Sequence, residues 1–269
     1  MTTPGSDLRE WNAASYHLVA NPHVDWGTAV LDRLPLRGDE TVIDAGCGTG
    51  RLTELLLERL PAGRVIAVDQ SANMLARAEA HLRPRYGDRV TFARHDLAAL
   101  PDIETADAIF STATFHWIPD HAALFATLFR ALRPGGWLVA QCGGANNIRA
   151  INDRAMTILR EDPFAADIGD WTGPWRFAGA IETGHLLTAA GFTDVAASVI
   201  DAPVTLDDEA AYREYLETVV LGTHLARLPD DTLRRRFLDR MVAGGATDTP
   251  PWSLAYTRLN LQGRKPDTR

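Results

Sequence analysis

The chain has only two cysteines in 269 residues, Cys47 and Cys142. Two isolated thiols make neither a disulfide framework nor a zinc site, and they point to a reducing compartment. Basic charge is scarce as well: 27 Lys and Arg face 35 Asp and Glu, a formal net charge of −8. That balance excludes the basic surface of a general nucleic-acid binder. The one basic run, Arg234-Arg235-Arg236 with Arg240, falls in a helical pattern and reads as a solvated face. No apolar run approaches the ~20 residues of a membrane helix. The opening Met-Thr-Thr-Pro-Gly-Ser-Asp has neither the basic nor the apolar part of a secretory signal. Internal repeats and low-complexity tracts are missing too. These absences leave a cytoplasmic protein with no membrane or nucleic-acid partner, monomeric or homodimeric.

What is present is informative. Residues 42–50 read Val-Ile-Asp-Ala-Gly-Cys-Gly-Thr-Gly, and Asp69 closes the next apolar run. An apolar strand ending in Asp44, a turn of alternating glycines and then a helix pattern make a nucleotide cradle. Glycines lack a Cβ, so the backbone there can bend sharply and touch a ligand. A carboxylate after the second strand sits where ribose hydroxyls lie in a doubly wound fold.

Around this motif, strand and helix patterns alternate with short links. Strands are predicted at 41–44, 65–69, 90–94, 106–111 and 137–142, and helices at 51–60, 73–82 and 121–131, with Ser71 as an N-cap. Arg133-Pro134-Gly135-Gly136 stops the third helix and turns into the fifth strand. Such alternation predicts an α/β fold, a doubly wound and mostly parallel sheet with helices on both faces. Residues 1–37 form an aromatic-bearing helical lid segment ahead of residues 38–142, the nucleotide-binding core. Residues 143–269 carry the rest of the sheet, with acceptor-site loops and a helical insertion at about 203–250, all within one structural domain. Residues 143–180 read as loop-rich, 181–190 as a helix and 195–200 as a strand. Helices follow at 208–225 and 231–242, then a final strand at 252–262.

The glycine spacing decides which nucleotide fits. A dinucleotide site needs Gly-x-Gly-x-x-Gly. Here Gly46, Gly48 and Gly50 are spaced Gly-x-Gly-x-Gly, and Arg51 stands where the third glycine belongs. Asp44 at the mouth of the turn repels a pyrophosphate and suits an ammonium group. A ligand with ribose at one end and an amino-acid ammonium at the other fits, namely S-adenosylmethionine. A nicotinamide-dependent oxidoreductase and a non-catalytic cofactor-binding module are the alternatives from other classes.

Residues 42–50, Val68-Asp69-Gln70-Ser71-Ala72-Asn73-Met74-Leu75, Asp96-Leu97, residues 107–117 and Leu132-Arg133-Pro134-Gly135-Gly136 together resemble the class I S-adenosylmethionine-dependent methyltransferases. Within that class the chain is similar to the trans-aconitate methyltransferase group. Trp11-Asn12 with Tyr16, the segment Phe115-His116-Trp117-Ile118-Pro119-Asp120-His121 and the insertion before residues 252–262 carry this closer likeness. That group often has Gln at the position of His116. The resemblance implies a Rossmann-like, mostly parallel seven-stranded sheet with a helical cap. It also implies O-methylation of a small-molecule carboxylate, with no metal.

The resemblance further implies that Asp44 and the backbone of Gly46, Gly48 and Gly50 hold the methionine end of the cofactor. Asp69 would accept from both ribose hydroxyls with Gln70 beside it, and Met74 would pack on adenine. Asp96 would take the adenine amine, the Leu97 amide would face a ring nitrogen, and the backbone at Ser111 and Thr112 would meet the ammonium. Structural readings stand beside these: Asp69 on a helix dipole, Asp96 as a turn cap, Met74 as core. On the acceptor side His116 is the candidate catalytic residue, either a base or a pocket wall with Trp117. A carboxylate acceptor needs no base, whereas a carbon, nitrogen or phenol acceptor would use His116 as one. Trp11, Tyr16, Trp171 and Trp175 read as lid aromatics. An anionic acceptor needs a cation, which Arg149, Arg154, Arg160, Arg176 or Arg258 could supply, with Arg149 preferred for its short link to the fifth strand.

Overall fold

A computed structural model of the chain describes residues 21–101 and 104–267, with side chains described from Asp25 onward. Helix α1 (Asn21–Leu31) leads into strand β1 (Thr41–Ala45), helix α2 (Arg51–Glu58), β2 (Arg64–Asp69), α3 (Ala72–Tyr86) and β3 (Val90–Arg94). Then come β4 (Ala106–Thr112), α4 (His121–Ala131), β5 (Leu132–Gly143), α5 (Arg149–Leu159), the single turn α6 (Ala165–Ile168), α7 (Ala180–Ala189) and β6 (Thr193–Asp201). The chain closes through β7 (Val204–Thr205), α8 (Glu209–Tyr215), α9 (Gly222–Ala226), α10 (Asp231–Gly245), β8 (Ser253–Leu254) and β9 (Thr257–Arg264).

The main sheet has seven strands in the order β3-β2-β1-β4-β5-β9-β6. β1 pairs in parallel with both β2 and β4, and the parallel run continues outward to β3 and β5. β9 is antiparallel to β5 and β6. Continuous apolar runs such as Val42-Ile43 and Val65–Val68 suit strands covered on both faces. One face packs Ile43, Ile109, Leu138 and Leu261 against α4 and α7 through Leu124, Leu128 and Leu187. The other packs Val42, Val65, Phe110 and Val139 against α1, α2 and α3 through Leu31, Leu56, Leu57 and Leu82. Strand order reverses beside β1, and ligands bind at the carboxyl ends of strands at such a point.

A third apolar cluster joins α5, α8 and α10 through Ile151, Ala155, Tyr212, Phe237 and Met241, with Trp171, Trp175 and Trp252 packed against it. It builds a helical layer beside the ends of β5 and β9. Helices α5 and α6 correct the loop-rich reading of residues 143–180. Ile151, Ala155, Ile158 and Leu159 have the helical spacing that buries one face, but Gly, Asn and Pro in the flanks obscured it. The single helix expected at 208–225 is three pieces. Leu221 N donates to Leu216 O at 2.6 Å, a wide turn spanning Leu216–Val220 between α8 and α9. The final strand expected at 252–262 is also divided: Ser253–Leu254 pairs with Val204–Thr205, and only Thr257–Arg264 enters the main sheet. Trp252, at φ 58°, immediately precedes the first of these pieces.

Local chemistry sets the other boundaries. Ser71 Oγ accepts from Met74 N at 3.2 Å, so the expected N-cap of α3 forms. Asp120 caps α4 by accepting from Ala123 N at 2.9 Å. β5 begins earlier than predicted, because Gly135 N and Gly136 O both pair with Lys265 at the end of β9. No helix among the described residues is long and apolar enough to cross a membrane.

His121, the first residue of α4, is 1% exposed and contacts the Phe115 carbonyl through Nε2 at 3.0 Å. Burial holds its pKa below the ordinary 6.5, so the folded state keeps it neutral while the unfolded chain takes up a proton below that pH. Its contribution is complete above about pH 6.5 and is lost as pH falls through the lowered folded value. Denaturant titrations should therefore show the unfolding free energy falling as pH drops below about 6.5, with a shallower fall in His121→Gln.

Candidate functional site

The glycine turn is clamped onto the end of β2. Gly46 N and Cys47 N both donate to Val68 O, at 2.8 and 3.0 Å. Asp69 Oδ2 accepts from Gly48 N at 2.9 Å and Oδ1 from Ser71 N at 2.9 Å. Two backbone donors thus aim this carboxylate at the mouth of the turn.

The three glycines do different work. All have positive φ, at 86°, 53° and 85° for Gly46, Gly48 and Gly50. A Cβ on Gly46 would strike the Thr114 side chain at 2.1 Å, and one on Gly50 would meet Leu82 at 2.8 Å and Ala78 at 3.2 Å. Those two let the turn close against β4 and α3. A Cβ on Gly48 would meet nothing within 4 Å. It would project into open space beside the turn.

Asp44 lies below the turn, 2% exposed, and accepts from Thr53 Oγ1 at 2.6 Å. Burial pushes its carboxyl up to about 7; the Thr53 hydroxyl opposes the shift and the nearby Asp69 charge adds to it. Cys47 is buried, and its thiol is pushed well above its ordinary range by burial and the two carboxylates, so it stays a protonated filler.

The remaining cofactor candidates line the same edge. Met74 is 4% and Leu97 is 5% exposed, and Leu97 packs in the core with Leu124 and Leu128. The Gln70 carbonyl accepts from Arg94 Nε at 3.0 Å. Asp96 is exposed, and one of its oxygens caps the Leu97–Ala99 turn by accepting from Ala98 N at 2.8 Å. Ser111 Oγ donates to Ala45 O at 2.6 Å, so β4 is tied to β1 and the hydroxyl is committed to the sheet. The Thr112 carbonyl accepts from Thr114 Oγ1 at 2.8 Å.

Beyond the end of β4 opens a cavity lined by Ala113, His116, Trp117, Asn147, Ile148, Trp175, Phe177, Val219, Val220, Tyr256 and Arg258. A backbone bond from Arg176 N to His116 O, 2.8 Å, lays the 175–177 loop over the turn that holds His116. His116, Trp117, Trp175 and Phe177 form a run of ring contacts at 5.1 to 5.8 Å. His116 is 8% exposed, and its Nδ1 accepts from Gly143 N at 3.2 Å. The neutral ring therefore carries its proton on Nε2. Asn147 Oδ1 accepts from Thr257 N at 2.9 Å, and Tyr256 and Tyr215 share a hydroxyl contact at 3.1 Å. The wide turn Leu216–Val220 brings Val219 and Val220 to the wall.

The five candidate arginines separate cleanly. Arg149, the preferred one, is 72% exposed, pairs with Asp153 at 3.5 Å and stands outside the cavity. It opens α5, whose inward face is apolar, so its side chain turns to water. Arg154 pairs with Asp248, and Arg160 is at the surface. Arg176 is committed to Pro119 O and Glu182. Arg258 is 2% exposed in the cavity wall, with the Trp26 ring 4.6 Å from its guanidinium carbon. Trp11 and Tyr16 lie outside the described residues. Asn147, Phe177, Tyr256 and the valine pair were missed from sequence; an arginine amid the alternation of β9 was the one visible sign of the anion side.

A methyltransferase domain model matches residues 42–136. The trans-aconitate 2-methyltransferase of Azoarcus sp. (strain BH72) is 33% identical over 253 residues, covering 90% of this chain and 92% of that protein. The chain belongs to the trans-aconitate 2-methyltransferase family. The enzyme of the same name from Methylobacterium radiotolerans is 32% identical over 272 residues, covering 96% and 99%. In fold, the Haemonchus contortus phosphoethanolamine N-methyltransferase 2 in complex with S-adenosyl-L-methionine superposes with a TM-score of 0.61 at 19% identity, covering 95% of this chain and 57% of that one. The protein is thus a class I, S-adenosylmethionine-dependent methyltransferase, and the oxidoreductase and non-catalytic alternatives are set aside.

Two glycine substitutions separate the cradle from its frame. Gly48→Ala should leave a folded protein that binds S-adenosylhomocysteine at least about tenfold more weakly by calorimetry, because the methyl group enters the cradle. Gly46→Ala should instead lower the thermal midpoint, since its Cβ collides with Thr114.

Proposed function

We propose that this methyltransferase esterifies a carboxylate of a small polycarboxylic acid of the trans-aconitate kind, acting in the cytoplasm without a metal. The observation that carries the reading is Arg258, a buried cation in the wall of a cavity that begins at the end of β4. Relatives at 32 and 33% identity over nearly their full length carry the trans-aconitate name, which supports the same acceptor class.

On this reading the donor half is held by Asp44 and the Gly46, Gly48 and Gly50 backbone at the amino-acid end. Asp69, with Gln70 beside it, takes the ribose hydroxyls. Met74 and Leu97 flank adenine, Asp96 offers its second oxygen to the adenine amine, and the Ser111 and Thr112 backbone faces the ammonium. Bound there, S-adenosylmethionine supplies a methyl group on a sulfonium sulfur that departs as a neutral thioether. Arg258 would anchor the acid and His116 would donate from Nε2 to an acceptor oxygen, while Trp117, Trp175 and Phe177 exclude water. An ionised carboxylate attacks without losing a proton, so alignment is the main task, and near-attack placement can supply ~7–11 kcal/mol. The bond from Gly143 N to His116 Nδ1 weighs against a base role, since the cavity then meets an N–H rather than a lone pair. The anchoring role first assigned to Arg149 passes to Arg258. The N-terminal segment and the helical insertion at about 203–250 would act as the cap.

The direct test is incubation of the enzyme with trans-aconitate and S-adenosylmethionine, with mass spectrometry for a monomethyl ester. Arg258→Met should raise the KM for trans-aconitate by about a hundredfold. His116→Gln should keep most of the turnover; a loss of more than about a hundredfold would restore the base reading. A screen of small acids that yields no ester would overturn the proposal.

A second expectation concerns pH. If a cationic amino group is bound by ionised Asp44, whose carboxyl titrates near 7, affinity for S-adenosylhomocysteine weakens as pH drops below that value. The slope approaches about tenfold per unit, and Asp44→Asn should flatten it.

A further inference from the structure

Behind Arg258 runs a chain of side chains that the site description leaves unused. In the β5–β9 ladder Gln141 faces Asn260 and Gly143 faces Arg258. Alternate residues share a face of a sheet, so Gln141, Asn260 and Arg258 project together. Arg33, just past α1, reaches the same patch.

The hydrogen bonds have one possible direction. Arg33 NH1 donates to Asn260 Oδ1 at 2.7 Å, and its NH2 donates to the Leu261 carbonyl at 3.1 Å. A guanidinium only donates, so the atom it meets on Asn260 is an acceptor. Gln141 then turns its amino group to that same oxygen, Nε2 to Oδ1 at 3.0 Å. The opposite end of the amide, Oε1, is left facing Arg258 and accepts from Nε at 3.2 Å. Amide orientation, ordinarily ambiguous, is dictated here from the Arg33 end. Gln141 is 5% exposed, so water does not compete for these bonds.

We infer that Gln141 is a positioning residue, a neutral amide that orients the Arg258 guanidinium toward the acceptor cavity without cancelling its charge, with Asn260 and Arg33 fixing that amide in turn. This rests on the anion-anchoring reading of Arg258. A neutral acceptor at 141 holds the guanidinium through Nε and adds no negative charge beside it. Glutamate at the same place would be nearly the same shape but would pair with Arg258 and compete with the acid. It would also set a carboxylate oxygen against the Asn260 acceptor, a repulsive contact. Trp26 completes the mount from the α1 side, its ring 4.6 Å from the guanidinium carbon.

The test is steady-state kinetics with trans-aconitate. Gln141→Met should raise the acceptor KM about tenfold, the lower bound for losing a hydrogen bond to a charged group. The KM for S-adenosylmethionine and the affinity for S-adenosylhomocysteine should move less than about twofold. Gln141→Glu should do more harm, on the order of a hundredfold in acceptor KM. A merely structural glutamine predicts the reverse order, since glutamate preserves shape and a bond to Arg258. Wild-type acceptor KM in Gln141→Glu, or equal damage to donor and acceptor KM, overturns the inference. Should the Gln141 variants fail to fold, Arg33→Met breaks the chain at its half-buried end; it should raise acceptor KM about threefold, and an unchanged value overturns the inference. If Arg258→Met leaves acceptor KM unchanged, the anchoring reading itself falls. If only the Gln141 and Arg33 variants are silent, that reading stands and the positioning role falls.

Discussion

The pairing of the glycine turn with the end of β2 is the constraint on which the donor half depends. Val68 O takes two amide protons from Gly46 and Cys47, and Asp69 takes one each from Gly48 and Ser71. Four bonds in a short stretch join the exit of β1, the exit of β2 and the start of α3. The parallel register behind them, Asp44 against Ala67 and Ala45 against Val68, brings these three ends level. Without that register the Asp69 carboxylate would not reach the turn, and the cradle would be only a loop between strand and helix. Buried apolar strands on both sides make the register hard to slip.

The half of the fold that could be read from sequence is the half built from local signals. Residues 41–142 alternate periodic segments with short links, and there the predicted strands and helices match within a few residues. Ser71 caps α3 as its side-chain chemistry requires. The C-terminal half resisted reading because its elements depend on distant partners. Ser253–Leu254 is a strand only because Val204–Thr205 lies beside it, and the final strand breaks there rather than at any local signal. The wide turn at Leu216–Val220 likewise answers to packing, with Val219 and Val220 placed on the cavity wall.

The same division runs through the site. Asp44, Asp69 and the glycines carry their role in spacing, and the geometry around Gly48 fits it. The acceptor side has no comparable signature, since five arginines look alike in a string of letters. Burial sorts them. Arg149 opens a helix whose other face supplies the core, so it points to water. Arg258 sits in an alternating strand on the face covered by α1, so it points inward. A cation in that place is costly unless something holds it, and a neutral amide and an aromatic ring are among its partners.

The cavity wall is assembled from separated stretches: residues 113–117, 147–148, 175–177, 219–220 and 256–258. The donor-side candidates, by contrast, all lie between Asp44 and Thr112, in the first half of the chain. Changes in the five wall segments can therefore accumulate without disturbing the register that holds the glycine turn. Acceptor preference in this architecture can change without any change in the half of the fold that carries the glycine turn. Two members with the same first half can thus serve different metabolites.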